Sequence, residues 1–254
     1  MMKADHSTCR TNKSWSDIQK VRRPGQEADY KMEKLLLLMV VFATCNAEPQ
    51  DLTGKVFVFP KESTKDHVKL LTSKTEFNAV TVCLRFQTDL TRNYALFSLS
   101  TPTHNNEFVI FKTNSGDVLR IHARDPFAEF LSLSFVPNTW HAMCATWSSD
   151  KGIAQLWLDG KPTIRRFIQT GAITGAPITI LGQEQDSYGG GFDANQSFLG
   201  MITKVHMWDS VIPASQIKRY MEDKHFTPGN VFNWRALDFE ITGQVVVDEE
   251  TEVM

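Results

Sequence analysis

The sequence predicts an all-β protein, an antiparallel two-sheet sandwich carrying one short α-helix. Three observations lead there. Apolar and polar residues alternate over many short runs, turn residues separate those runs, and a single segment repeats with a helical period.

Taken in order, residues 55–59 (KVFVF) are β-rich and stop at Pro60, which has no N–H to give to a ladder. Residues 80–86 (VTVCLRF) alternate cleanly. Further strands are expected at 94–99, 107–111, 118–122 and 130–135, then at 141–147, 154–158, 178–181, 204–208 and 245–247. Asp159-Gly160, between QLWL and KPTI, is a strong signal for a two-residue hairpin. Over 213–221 the spacing puts Ile217, Tyr220 and Met221 on one helical face. Pro213 suits the first turn of that helix, and Pro228-Gly229 lies beyond its end. With no internal repeat or linker, the helix reads as a decoration on one domain.

Composition narrows the class. The 254 residues suffice for one domain with a real core, and a net charge of −2 without a Lys/Arg block gives nucleic acid no footing as the primary partner. Residues 32–47 read as a secretory signal: Met32-Glu33-Lys34, then an apolar run of 11 residues (LLLLMVVFATC), then small residues up to Ala47. The run is too short for a bilayer, which needs about 20 apolar residues, so no transmembrane segment is expected. Residues 1–31 are polar and without apolar period, and read as a non-structural upstream extension. The secreted domain is then 48–254, with 19 of the 27 basic and 24 of the 29 acidic residues, a net −5. It keeps two cysteines, Cys83 and Cys144, for which one disulfide is the default in an oxidising compartment and two buried free thiols the alternative.

The stretch 181–200, LGQEQDSYGGGFDANQSFLG, carries the most chemistry. A catalytic acid pair would need two carboxyls held about 5–9 Å apart on rigid elements. Here the strand pattern ends before Glu184 and Asp186, and three glycines follow. Asp238 and Glu240 form another acid pair, on a strand pattern that reads as a solvated face. A phosphate loop fails because no Lys-Ser/Thr follows Gly189-Gly190-Gly191 and no helix opens there. A calcium loop fits better: Glu184, Asp186, Asp193 and Gln196 supply oxygens, and there is no His or Cys to favour zinc or copper. On pattern alone, an acidic solvated loop stays equally open.

The run LGQEQDSYGG (181–190), with Phe192-Asp193 and Gln196-Ser197 after it, resembles the short pentraxin family, as do KVFVFPKES (55–63), TVCLRF (81–86), LWLDGKP (156–162), VHMWDSVIP (205–213) and NWRALDFEITG (233–243). The resemblance spans about 55–247. It implies a jelly-roll sandwich of the laminin-G and lectin kind, a Cys83–Cys144 bridge, and two calcium ions per protomer. The ligands it implies are Asn105, Asn106, Glu184, Gln185 through its backbone carbonyl, Asp186, Asp193 and Gln196. Two departures stand out. Asn105 replaces the family's Asp, which predicts weaker calcium binding through the lost charge. Around the second cysteine the family's His position holds Ala142, and a His stands one residue earlier at 141.

Phe111 aligns with the aromatic that packs against choline-like groups. The acid that would face a choline nitrogen has no clear counterpart in 122–129, with Glu129 a guess. The resemblance therefore implies a secreted, non-enzymatic, calcium-dependent pattern-recognition protein of innate immunity and the acute phase. Its partners would be phosphocholine, phosphoethanolamine or glycan ligands on microbial or damaged-cell surfaces, and further copies of itself in a ring, a pentamer by likeness. Complement recruitment is weakly supported: Asp159 matches one implicated position but is also the hairpin Asp, and Tyr220 is displaced by one residue. A laminin-G-like adhesion module binding protein without calcium is the competing class. Asn195-Gln196-Ser197 is a glycosylation sequon inside the calcium loop, expected to be unoccupied because metal would tie the loop down.

Overall fold

The computed structural model describes residues 48–250; the expected upstream extension and signal, 1–47, lie outside the described residues, as do 251–254. The first half of the domain runs β1 (Lys55–Phe59), β2 (His67–Leu70), β3 (Glu76–Phe77), β4 (Ala79–Gln87), β5 (Tyr94–Thr101), β6 (His104–Lys112), β7 (Leu119–Ala123), β8 (Phe127–Phe130) and β9 (His141–Ser148). The second half runs β10 (Ile153–Leu158), β11 (Lys161–Pro162), β12 (Arg166–Phe167), β13 (Ile173–Thr174), β14 (Ile178–Leu181), β15 (Gly200–Trp208), α1 (Ala214–Met221), β16 (Phe232–Asn233), β17 (Phe239–Thr242) and β18 (Val246–Glu249). A 3-10 turn, Ala194–Gln196, precedes β15.

Two antiparallel sheets result. One has the order β11-β10-β9-β4-β15-β1-β18, with β12 on β10 and β16 on β15; the other has the order β17-β2-β14-β5-β6-β7-β8. Alternation decides what lies between them. Phe108 and Ile110 of β6, Leu119 and Ile121 of β7, and Phe57, Phe86 and Trp147 from the facing sheet join one buried core. The Asp159-Gly160 turn has positive φ at both positions (47° and 80°), the geometry of a two-residue hairpin that matches strand twist.

The outer face of the first sheet is closed by α1. Cys83 and Cys144 stand directly opposite on β4 and β9 and are bonded, and Trp157, Trp208, Ile217 and Tyr220 bury the bridge. Arg85 Nη2 donates to the Met221 carbonyl at 3.1 Å, satisfying an end carbonyl of the helix. The strand expected over 130–135 does not form: β8 is Phe127–Phe130 and shares only Phe130 with it, because Ser132 takes the left-handed conformation (φ 57°) and breaks the ladder. Short strands such as β2 and β3 lack enough period to be seen in the sequence, whereas β17 (Phe239–Thr242) falls on the strand pattern read around Asp238 and Glu240.

Candidate functional site

The 181–200 stretch leaves the second sheet at the end of β14. Gly182 sits at φ 86°, and a Cβ there would come within 2.3 Å of Phe59, so only glycine turns the chain over that ring. Two carboxamides then pin the backbone. Gln183 Nε2 donates to the Ser63 and Asp66 carbonyls at 2.7 and 3.1 Å. Gln185 Oε1 accepts from Ser100 Oγ (2.7 Å) and the Gly189 N–H (3.0 Å), while its Nε2 donates to the Ser98 and Ile178 carbonyls (3.0 and 3.1 Å). With that side chain committed inside, only the Gln185 backbone carbonyl is left as a free oxygen among the described residues. Ser187 and Gly190 exchange backbone bonds of 3.1 and 3.0 Å, which folds the glycine run back on itself.

Glu184 and Asp186 crowd each other on this loop. Burial, then the charge of Asp186 and a hydrogen bond to it, push the Glu184 carboxyl up to about 7. Asn105, at the start of β6, donates from Nδ2 to the Asp186 carbonyl at 2.7 Å, so strand and loop meet there. Asn106 Oδ1 is buried with no hydrogen-bond donor, and so is Glu107 Oε2. A buried acceptor without a donor is costly, and a cation is one way to satisfy it. Asp193 and Gln196 lie on the 3-10 turn, where Asp193 Oδ1 accepts from the N–H and the Nδ2 of Asn195 at 2.9 and 3.0 Å. Arg92 Nη1 holds the turn by donating to the Ser197 and Asn195 carbonyls at 2.7 and 3.1 Å.

Contacts thus join Asn105, Asp186 and Glu184, while Asn106, next on β6, bonds through its backbone to Asp125, and Asp193 and Gln196 stand on a turn of their own. Among the described residues no three His, Cys, Asp or Glu side chains converge on one point. The donors are instead a mixture of carboxylate, carboxamide and backbone oxygens, the chemistry of a hard cation such as calcium. These residues fit that ion.

Beyond Asn105, the outward positions of β6 are Glu107, Val109 and Phe111. Phe111 is 8% exposed, packed with Ala95 and Val109 in a small cluster outside the main core. Its cross-strand neighbour on β7 is Arg120, whose Nε donates to Glu129 at 3.0 Å. Sequence reasoning passed over Arg120. The signal was its alternation with Leu119 and Ile121, which assigns it to the outer face.

The remaining sequence features have structural roles. His141 points into the core beside Phe86 and Phe135, since moving one position along a strand reverses the face. Its Nδ1 lies 2.7 Å from Asp159 Oδ2, and Asp159 Oδ1 accepts the Ala142 N–H at 2.8 Å. Burial lowers the His141 pKa, but the Asp159 hydrogen bond and charge outweigh it and the net shift is upward. Tyr220 is buried beneath α1 and donates to the Lys204 carbonyl at 2.9 Å. Asn195 is exposed, with its side-chain nitrogen bonded to Asp193.

Comparison with known proteins gives one consistent result. The Pentaxin family model matches residues 55–249. Serum amyloid P-component of Sus scrofa is 40% identical over 220 residues, covering 85% of this chain and 97% of that protein. C-reactive protein of Rattus norvegicus is 44% identical over 220 residues, covering 85% and 94%. A heptameric SAP-like pentraxin from Limulus polyphemus superposes with a TM-score of 0.72 at 21% identity, covering 78% of this chain and 96% of its own.

Proposed function

The chain belongs to the pentraxin family, and on that premise we propose that it is a secreted, non-enzymatic, calcium-dependent recognition protein of innate immunity. The observation that carries this reading is the 181–200 loop. Its two crowded carboxylates, tied by Asn105 to a strand whose next residue, Asn106, keeps a buried Oδ1 without a donor among the described residues, support a site for positive charge. Asn105, Asn106, Glu184, Asp186, Asp193 and Gln196 through side chains, and Gln185 through its carbonyl, would hold two calcium ions per protomer.

Bound calcium supplies a positive centre for the phosphate or carboxylate oxygens of a ligand. The protein's own part is to hold those donors in place. Gln183 and Gln185 pin the loop, Arg92 pins the 3-10 turn, and Asn105 joins loop to strand. Ligands of the phosphocholine, phosphoethanolamine or glycan type would meet this face without undergoing chemistry.

A ring of copies would turn weak single-site contacts into avidity. The two edges of the first sheet favour such a ring. One edge, β18, exposes Val246 and Val247 beside Asp248 and Glu249; the other exposes Ile164 and Phe167 beside Arg165. Unlike edges of complementary charge suit head-to-tail contact, which makes a ring where the rotation between copies closes. Pentamer is the size drawn from the family likeness.

The test is calorimetric calcium titration together with phosphocholine and phosphoethanolamine resins. Calcium uptake, and retention on at least one resin that EDTA reverses, is the expected result. No uptake of calcium, or retention that EDTA leaves intact, would refute the reading and favour a calcium-independent adhesion module.

A further inference from the structure

The outer face of the second sheet carries a guanidinium, Arg120, across from Phe111. We propose that Arg120 makes this site select ligands whose group distal to the calcium-bound oxygens is anionic, and disfavour quaternary ammonium groups. This rests on the calcium reading above and names the ligand class of that same site.

The geometry runs along β6. Asn105 touches the loop at Asp186, and the outward residues after it are Glu107, Val109 and Phe111. Val109 lies opposite His122 and Phe111 opposite Arg120, while Phe127 of β8 lies opposite His122. The Arg120 guanidinium sits 4.5 Å from the Phe127 ring centroid. It is therefore drawn from its own level on β7 toward the loop, to the level of Val109. That level is three residues from Asn106, about 10 Å along the strand. A small ligand anchored at the loop and lying along this face meets Arg120 before it meets Phe111.

The arginine is held but not used up. Nε donates to Glu129 Oε1 at 3.0 Å and Nη2 lies 2.9 Å from that same oxygen. Both contacts fall on one carboxylate oxygen, so Nη1 has no hydrogen bond among the described residues. The Arg120 side chain is 35% exposed, open to a ligand. Arg120 also takes one face of the Phe127 ring, a face that a cationic group would otherwise seek. Glu129 is already paired with Arg120. An incoming cation finds a like charge and an occupied ring, whereas an incoming carboxylate, sulfate or phosphate finds planar N–H donors.

The experiment uses the full secreted protein and three phosphate monoesters of similar length: propyl phosphate, phosphocholine and 3-phosphooxypropanoate. Affinities are measured by calorimetry at buffered free calcium, so that chelation by the probes does not enter. The expected order is 3-phosphooxypropanoate, propyl phosphate, phosphocholine, with about tenfold between the extremes. In Arg120→Ala the ratio of anionic to cationic affinity falls about tenfold, and in Arg120→Lys part of it survives. Glu129→Gln releases the guanidinium and raises the ratio. Opposite movements in these variants are not produced by loss of folding. Calcium-dependent binding in which phosphocholine equals or exceeds 3-phosphooxypropanoate overturns this inference and leaves the calcium reading standing. No calcium-dependent binding of any of the three overturns this inference, and the calcium reading falls with it only if calorimetry also shows no calcium uptake.

Discussion

Glu184 offers the sharpest test of how the loop is built. Its carboxyl is displaced from the usual 4.5 to about 7, first by burial and then by Asp186. Because the folded pKa lies above the unfolded one, the calcium-free native state binds the extra proton between pH 4.5 and 7. The associated stability is complete below 4.5 and is lost as pH rises through about 7. Holding Glu184 ionised above that range costs about 2–3 kcal/mol once screening by water on the open side of the loop is allowed for. Glu184→Gln removes this dependence. Urea unfolding in EDTA, run from pH 4.5 to 8, should show wild type losing about 2–3 kcal/mol relative to the variant. With calcium present the order above pH 7 should reverse, since a ligand at 100 times its Kd adds about 2.7 kcal/mol to a protein that binds it. Parallel pH profiles for wild type and Glu184→Gln in EDTA would show that the two carboxylates are not crowded, and the argument for a cation-seeking loop would lose its footing.

Other consequences are separable. Asn105→Asp adds the missing charge, so calcium affinity measured by calorimetry should rise several-fold. In EDTA the same variant should lose about 1 kcal/mol, because an Asp cannot donate to the Asp186 carbonyl; an unchanged affinity would remove Asn105 from the ligand set. Breaking the bridge by Cys83→Ala with Cys144→Ala should cost roughly 4 kcal/mol on the loop-entropy model for a 61-residue separation, read as a lowered urea midpoint. Asp159→Asn should bring the raised His141 pKa down, followed by NMR titration. Since a raised His pKa stabilises below the unfolded value near 6.5, this variant's deficit should be largest in acid and shrink as pH rises through the folded His141 pKa.

Much of this protein is written locally. Alternation in residues 80–86 and 141–147 fixes which side chains enter the core, because a strand's period of two leaves no other assignment. Asp159-Gly160 specifies its hairpin because both positions need positive φ. The 181–200 stretch announces an oxygen-rich loop by composition, and its likeness to a family supplies the candidate ligands. Other features depend on distant parts of the chain meeting. The sequence puts Phe130 through Phe135 in one alternating strand, whereas the strand that forms is Phe127–Phe130 and the left-handed Ser132 lies just past its end. The displaced pKa of Glu184 comes from burial under the folded loop, which no local pattern reports. Nor could the sequence say what stands over Phe111. Arg120, Phe127 and Glu129 are separated along the chain, and it is the pairing of β6, β7 and β8 that gathers them on one face. Periodicity is a property of neighbours in sequence, whereas burial and charge contact are properties of neighbours in space.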